Sequence, residues 1–151
     1  MKTDEYWMQR AFELALIAKE HDEVPVGAVI VFENQIIGEG WNQPISSSDP
    51  AAHAEIVALR QAGHKQNNYR LPGAIMYVTL EPCAMCAGAL VHARLTKLIY
   101  ATDDPRTGAC GSVFNILQTD KLNHKVEIEK GVMEEECRAL IQDFFKAKRI
   151  K

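Results

Sequence analysis

Two short motifs contain residue types that could bind a metal ion and move a proton beside it. Residues 53–55 read His-Ala-Glu, and residues 82–86 read Pro-Cys-Ala-Met-Cys. Imidazole nitrogen and cysteine thiolate are the ligands that zinc prefers in proteins. A C-x-x-C pair alone is a weak signal and an H-x-E pair alone is weaker, so the prediction of a zinc site depends on their combination.

The three candidate ligands are His53, Cys83 and Cys86. The two cysteines are three residues apart near the start of an expected helix, so both sulfur atoms lie on one face. The positive end of the helix dipole lowers the pKa of a thiol and stabilises the thiolate that zinc requires. Three protein ligands leave the fourth tetrahedral position for water, as in catalytic rather than structural zinc sites.

Glu55 is the candidate acid and base. On a regular helix, side chains two residues apart point about 200° apart, so His53 and Glu55 cannot both bind a metal from one face. Near the first turn they can still flank a common pocket. A carboxylate beside zinc-bound water shuttles the proton of that water, so we interpret Glu55 as a proton carrier and not as a ligand.

A closed structural site is the alternative, because one further ligand would complete the tetrahedron. The residues that could in principle provide it are Cys110, Cys137, His64, His92 and His124. Cys137 falls in an apolar helical stripe, where we expect it to be a small core residue.

The apolar periodicity predicts alternating helices and strands that would position these motifs. Capping residues and helical spacing predict helices over about residues 4–19, 49–63, 81–93, 112–117 and 133–148. Runs of β-branched and alternating apolar residues predict strands at 26–32, 35–41, 74–80, 97–101 and 126–131. Asp49 is the expected cap and Pro50 the first-turn residue of the second helix, which would end at Gly63.

The order of these elements predicts the fold class. Strands separated by helices favour parallel pairing with right-handed crossovers, and the short connection Glu33-Asn34 makes the first two strands a hairpin. We therefore expect an α/β protein with a mixed five-stranded sheet and helices on both faces. The whole chain, residues 1–151, is expected to form one domain.

The composition is that of a soluble globular protein. The chain has 151 residues, of which 47% are hydrophobic and 25% charged. No apolar run approaches ~20 residues, and the first ten residues lack the features of a secretory signal. We expect a cytoplasmic protein whose four cysteines bind metal or stay reduced. The net charge of −3 does not indicate a dedicated nucleic-acid binder, which is usually basic.

The pairing of H-x-E with P-C-x-x-C resembles the signature of the zinc nucleobase deaminases. Further segments make the chain similar to one family of them, the bacterial tRNA-specific adenosine deaminases of the cytidine/deoxycytidylate deaminase superfamily. These segments are residues 25–29, 38–42, 52–56, 79–88 and 107–112. The zinc motif alone would also fit deaminases of cytosine, guanine, cytidine or deoxycytidylate.

The resemblance implies a three-layer α/β/α cytidine-deaminase-like fold with one zinc ion per subunit. It also implies an activity, the hydrolytic deamination of adenosine to inosine at wobble position 34 of a tRNA anticodon. In this reaction zinc-activated water attacks C6 of adenine, while Glu55 carries the proton to N1 and helps ammonia leave. The base must be extruded, which costs least in a single-stranded anticodon loop.

The same resemblance assigns substrate contacts. Asn42 would hydrogen-bond the flipped nucleoside, and Val26 and Leu80 would form the walls of the base pocket. Arg106 would contact a phosphate of the anticodon backbone, where the family commonly has a lysine, so the positive charge is kept. Asp104 would accept a hydrogen bond from a ribose hydroxyl.

The implied partners are a tRNA anticodon stem-loop and a second copy of the chain, with no membrane or DNA partner expected. Small residues of the third helix, among them Ala84 and Gly88, could pack against that second copy. A free-base deaminase of the same fold, acting on guanine or cytosine, is the alternative function, and the acidic net charge mildly favours it. A non-catalytic, RNA-binding zinc protein is disfavoured, because Glu55 and an open metal position are both present.

Overall fold

The structure of the chain is a computed structural model that describes residues 1–150. The helices in this range are α1 (Asp4–Glu20), α2 (Ala54–Gln66), α3 (Ala84–His92) and α4 (Glu134–Ile150). The strands are β1 (Gly27–Phe32), β2 (Gln35–Trp41), β3 (Ile75–Leu80), β4 (Lys97–Thr102) and β5 (Glu127–Lys130). Among the helices described, none has the length and apolar character that a membrane crossing requires.

The five strands form one mixed sheet in the order β2-β1-β3-β4-β5. β1 and β2 form the expected antiparallel hairpin, with Glu33 and Asn34 in the left-handed conformation at φ of 50° and 60°. β3 pairs with β4 and β4 with β5 in parallel, as the intervening helix and long connection favour. β1 also pairs antiparallel with β3, which the order of the elements did not predict.

Helices cover both faces of this sheet, as expected. Alternate residues of β1 enter different clusters, because successive strand side chains point to opposite faces. Ala28 and Ile30 pack in the cluster formed with α2 and α3, whereas Val29 and Val31 pack in the cluster formed with α1 and Cys137 of α4. The three-layer α/β/α arrangement is therefore confirmed, and α2 and α3 lie together on one face.

α2 begins later than predicted. Its first residue is Ala54, and His53 is the N-cap residue. Asp49 does not cap the helix, because its Oδ1 accepts a hydrogen bond from the backbone N–H of Ala51 (2.9 Å) and closes a local turn. The helix also continues past Gly63 to Gln66, where Asn67 takes the left-handed C-cap position at φ 52°.

The prediction of a helix over residues 112–117 is wrong. This segment consists of turns and an isolated antiparallel bridge between Cys110 and Asn115. The backbone N–H groups of Cys110 and Ser112 donate to the side chain of Glu81, far away in sequence, instead of to neighbouring carbonyl groups. α3 likewise begins at Ala84 and not at Glu81, because Cys83 occupies the N-cap position in an extended conformation.

Candidate metal centre and active site

Three ligand atoms meet where two helices begin. His53 caps the N-terminus of α2, Cys83 caps that of α3, and Cys86 lies in the first turn of α3. The distance from His53 Nδ1 is 3.6 Å to Cys83 Sγ and 3.5 Å to Cys86 Sγ. All three atoms lie within 4.8 Å of one another. The structure therefore brings the predicted ligands together without any further movement of the backbone.

The spacing of these atoms fits a tetrahedral zinc ion. Bonds of about 2.0 Å to nitrogen and about 2.3 Å to sulfur, at a tetrahedral angle, separate the two ligand atoms by about 3.5 Å. The observed distances from the imidazole nitrogen to the two sulfur atoms are 3.6 and 3.5 Å. Within residues 1–150 no further histidine, cysteine or carboxylate side chain joins these three as a fourth ligand. The donor set is thus an open site with three protein ligands.

The two thiols differ in how readily they ionise. The hydrogen bond with Cys86 lowers the pKa of Cys83 to about 4 against the opposing effect of burial, and His53 contributes a second hydrogen bond. The shared hydrogen bond and burial both raise the pKa of Cys86. One thiolate is therefore favoured by the protein alone, and a divalent cation binding here would displace the proton of the second thiol.

Glu55 is the second residue of α2, and only 4% of its surface is exposed. Burial raises the pKa of its carboxyl group to about 7, and the nearby Cys83 thiolate adds to the shift. The expectation that Glu55 and His53 point to opposite sides assumed a helical His53. His53 instead has extended backbone angles (φ −70°, ψ 154°), so its ring can lie on the side of the pocket that Glu55 faces.

Asn42 lies at the end of β2 and contacts the start of α2. Its side-chain Oδ1 accepts a hydrogen bond from the backbone N–H of Ala54 at 2.8 Å. Its side-chain nitrogen has no hydrogen-bond partner among the described residues and remains able to donate. Val26 is buried and Leu80 half-buried in the cluster under α2 and α3. The β1–β3 register, continued by two residues, sets Val26 opposite Leu80.

The loop after β4 presents Arg106 to solvent. The carboxylate of Asp104 accepts hydrogen bonds from the backbone N–H groups of Arg106 (3.0 Å) and Thr107 (3.2 Å) and from the Thr107 hydroxyl (2.8 Å). Asp104 is therefore a cap within the loop, which the sequence analysis did not anticipate. The exposed guanidinium group of Arg106 forms no ion pair with the described residues.

Two buried carboxylates were missed by the sequence analysis. Glu23 and Glu81 are each 2% exposed, and each accepts hydrogen bonds from a loop beside the site. The sequence analysis placed Glu81 at the start of the third helix and gave Glu23 no role. Their position directly before the apolar pairs Val24-Pro25 and Pro82-Cys83 was the only local signal.

The chain is similar to known deaminases along its whole length. The family model described as MafB19-like deaminase matches residues 2–149. A tRNA-specific adenosine deaminase of Haemophilus influenzae is 49% identical over 147 residues, covering 97% of this chain and 85% of that protein. The tRNA-specific adenosine deaminase of Bacillus subtilis is 41% identical over 151 residues, covering 100% of this chain and 94% of that protein.

Solved structures show the same fold. One, from a study of A-to-I editing by tRNA:A34 deaminases at the wobble position of transfer RNA, has a TM-score of 0.87 and 38% identity. It covers 89% of this chain and 98% of that one. A guanine deaminase from Nitrosomonas europaea has a TM-score of 0.82 at 23% identity, covering 95% of this chain and 85% of that one. At that identity the likeness concerns the fold alone.

Proposed function

Since the chain belongs to the tRNA-specific adenosine deaminase family, we propose that it converts adenosine to inosine at wobble position 34 of a tRNA anticodon. The reaction is hydrolytic: a C6–O bond forms from water, the C6–N bond breaks, and ammonia leaves. The enzyme acts in the cytoplasm, where tRNA is found, as a single deaminase domain spanning residues 1–151.

The observation that carries this proposal is the identity of 41–49% over 97–100% of the chain with tRNA-specific adenosine deaminases. That identity extends beyond the metal motif, which free-base deaminases could share. The guanine deaminase, by contrast, is similar at 23% identity only. The histidine and two cysteines of the site support the deaminase chemistry, and the sequence identity along the whole chain supports the RNA substrate.

His53, Cys83 and Cys86 would hold the zinc ion, since their donor atoms and spacing fit it. When bound, zinc supplies a Lewis acid that lowers the pKa of a water molecule. Glu55 takes one proton of the attacking water and delivers it to N1 of adenine. It then carries the second water proton from the new C6 hydroxyl to the amino group, which leaves as ammonia. Its burial beside the ligands excludes bulk water from this transfer.

The geometry of the site supports the substrate contacts that the resemblance implies. The unpartnered side-chain nitrogen of Asn42 donates to the flipped nucleoside, while its oxygen stays bound to α2. Val26, which directly precedes β1, and Leu80, at the end of β3, form apolar walls for the base. Arg106, exposed and unpaired within residues 1–150, binds a backbone phosphate. Oδ2 of Asp104, which accepts only from the Thr107 hydroxyl, accepts a second hydrogen bond from a ribose hydroxyl.

The function is tested by incubating the zinc-loaded protein separately with an A34 anticodon stem-loop, free guanine and free cytosine. We expect inosine at position 34 of the RNA, measured by nuclease digestion and mass spectrometry, and no ammonia from either free base. A stem-loop with guanosine at position 34 is the matched control. Ammonia from a free base alone would indicate the alternative activity, and no product from any of the three would indicate a non-catalytic RNA-binding zinc protein.

The protein would work as a homodimer through the α2–α3 face. Gly88 and Ala89 of α3 are half-buried, and a Cβ atom added at Gly88 would meet no atom within 4 Å. An adjoining cavity of about 650 Å³ is lined by Ile56, Leu59 and Tyr69 among others. Small and apolar residues that remain partly accessible suit close packing of two helices. Sedimentation of the wild type should show a dimer.

A further inference from the structure

Two buried carboxylates have no part in the chemistry described above. Glu23 and Glu81 are each 2% exposed, and neither forms an ion pair with any residue in the described part of the chain. A buried carboxylate without a cation is costly unless hydrogen bonds replace its water shell. The segments that donate these hydrogen bonds are therefore the segments that each carboxylate holds in place.

Glu81 receives all of its hydrogen bonds from one loop. Its Oε1 accepts from the backbone N–H of Asp104 (2.9 Å) and from the hydroxyl of Ser112. Its Oε2 accepts from the backbone N–H groups of Cys110 (2.9 Å) and Ser112 (3.1 Å). Four donors from residues 104–112 therefore converge on a single side chain that lies more than twenty residues earlier in the sequence.

The backbone of residues 81 and 82 is joined to the end of β4 and to the same loop. The N–H of Glu81 donates to the carbonyl of Thr102 (2.9 Å), and the N–H of Ala109 donates to the carbonyl of Pro82 (2.9 Å). The residue after Pro82 is Cys83, a candidate metal ligand. The loop that presents Arg106 is thus hydrogen-bonded to both the backbone and the side chain of residues 81–82, which directly precede Cys83.

Gly108 shows how closely this carboxylate is enclosed. A Cβ atom added at Gly108 would overlap the side-chain carboxylate of Glu81. The backbone of Gly108 does not lie in the left-handed region, so alanine is excluded there by the carboxylate and not by its own φ. Gly108 therefore packs directly against the carboxylate that the four donors hold.

We propose that Glu81 is a positioning residue that locks the RNA-facing loop, residues 104–112, to the turn that carries the metal ligands. Through this lock Arg106 and the metal centre keep a fixed separation, so that the phosphate contact and the chemistry act on one extruded nucleotide. The claim that this lock supports RNA binding rests on the proposed function. The claim that Glu81 holds the loop does not, and it can be measured without RNA.

Limited trypsin digestion tests the lock without RNA. In Glu81→Gln, one acceptor oxygen becomes an N–H₂ group that faces N–H donors, so at least one donor loses its partner. We expect cleavage after Arg106 to become about tenfold faster or more, since losing hydrogen bonds to a charged group shifts an equilibrium by that much. Cleavage after Lys121, in another exposed turn, is the internal reference and should not change.

A second variant keeps the carboxylate and displaces it. In Gly108→Ala the new methyl group pushes the flexible end of Glu81 away from its donors, so we expect the same faster cleavage after Arg106 with zinc content unchanged. Gly63→Ala is the matched control, because a Cβ there meets its nearest neighbour, the carbonyl of Asn68, at 3.4 Å. Leu14→Ala, on the opposite face of the sheet, controls for a general loss of stability.

A double-mutant cycle tests the RNA part. Kd for an A34 stem-loop is measured for the wild type, Glu81→Gln, Arg106→Ala and the double variant. If Glu81 acts through Arg106, Arg106→Ala weakens binding in the wild type but not in Glu81→Gln. Additive effects would overturn the coupling to RNA. Unchanged cleavage after Arg106 in both Glu81→Gln and Gly108→Ala would overturn the lock itself, whatever the substrate proves to be.

Discussion

Glu55 occupies an environment that is costly for a carboxylate and useful for a proton carrier. Its surface is 4% exposed, and burial raises its pKa to about 7, near the pH at which the enzyme must both accept and return a proton. It lies beside the ligand set without joining it. A residue so placed contributes to turnover and not to metal affinity.

Glu55→Gln should therefore separate the two properties. We expect a protein with about one zinc per chain and a turnover lower by about 10²- to 10⁴-fold, the usual contribution of a general acid and base. Metal analysis and single-turnover inosine formation measure the two quantities. His53→Ala is the comparison variant, which should lose zinc and activity together. Substantial residual turnover in Glu55→Gln would remove this residue from the centre of the mechanism.

Arg106 is a second single residue whose role can be tested. Its exposed side chain makes no ion pair within residues 1–150, so the cation is available to a phosphate. Arg106→Ala should weaken binding of an A34 stem-loop and reduce the slope of log K against log salt by about 0.7–0.9, the value of one phosphate contact. Titrations at several salt concentrations measure it. Lys125→Ala, which removes a cation paired with Asp120 elsewhere, should leave the slope unchanged. A constant slope in Arg106→Ala would contradict the phosphate contact.

At the scale of elements, the site depends on how closely α2 lies against β2. Added Cβ atoms at Gly38 and Gly40 would overlap backbone carbonyl groups of Ala58 and Ala54. Glycine is needed at both positions because the approaching atoms are backbone and cannot move aside. α2 carries Glu55 and is capped by the candidate ligand His53. How closely α2 packs against β2 therefore sets the position of both side chains.

Alanine at the two glycines should separate stability from metal binding. Gly40→Ala and Gly38→Ala should each lower the free energy of unfolding by about 1–3 kcal/mol through overpacking. Gly40 faces the first turn of α2, so only Gly40→Ala should also weaken zinc affinity clearly. Urea denaturation and competition with a zinc chelator measure the two effects. Equal zinc affinity in both variants would show that the helix start adjusts independently.

Glu23 fastens the other loop beside the site. Its carboxylate accepts hydrogen bonds from the N–H of Ser46 (2.6 Å), the N–H of Ile45 (3.3 Å) and the Ser46 hydroxyl. Burial raises the pKa of this group, but the hydrogen bonds outweigh it and hold the pKa below the ordinary value of a glutamate. The charged form is thus the one that the fold stabilises.

The lowered pKa of Glu23 determines how its contribution to stability depends on pH. Because the folded pKa is lower than the unfolded one, the contribution of Glu23 is fully present above about pH 4.5 and is lost as pH falls through the folded value. The difference in unfolding free energy between the wild type and Glu23→Gln should therefore shrink on acidification. Urea denaturation at a series of pH values from neutral downward measures it. A difference that stays constant would contradict the assignment.

At the scale of the whole molecule, the core does not depend on the metal. Two apolar clusters on the two faces of the sheet, one with α2 and α3 and one with α1 and α4, surround strands that are paired throughout. The metal ligands lie at the helix N-termini at one end of this core. The protein should therefore differ from small zinc domains, which unfold without their metal.

Removal of zinc by a chelator should leave a folded protein with a lower Tm. A ligand at 100 to 1,000 times its Kd stabilises by about 3–4 kcal/mol, which corresponds to a shift of roughly 5–15 °C for a chain of this size. Circular dichroism during thermal unfolding measures both the helical content and Tm. Cys86→Ala, which lacks a ligand, should show no further shift with chelator. Loss of the helical signal at room temperature would contradict this prediction.

Much of this protein was determined by local sequence. The periodicity of apolar residues predicted the five strands and four of the five expected helices, because burial on one face imposes its own spacing. The ligand residues were predictable from their chemical types and from the three-residue spacing of Cys83 and Cys86, which a helix start enforces. The short hairpin turn at Glu33 and Asn34 followed from its length.

Features that depend on contacts between residues distant in sequence were decided only by the tertiary structure. α2 starts at Ala54 because Asn42, twelve residues earlier, caps its first N–H, while Asp49 closes a turn of its own. The expected helix at residues 112–117 is absent because its N–H groups find other partners: that of Ser112 donates to Glu81, about thirty residues away, and those of Val113, Phe114 and Ile116 donate to the carbonyl groups of residues 108 and 109. Side chains that find their partners across such separations leave no periodic signal, so their roles appear only when the chain has folded.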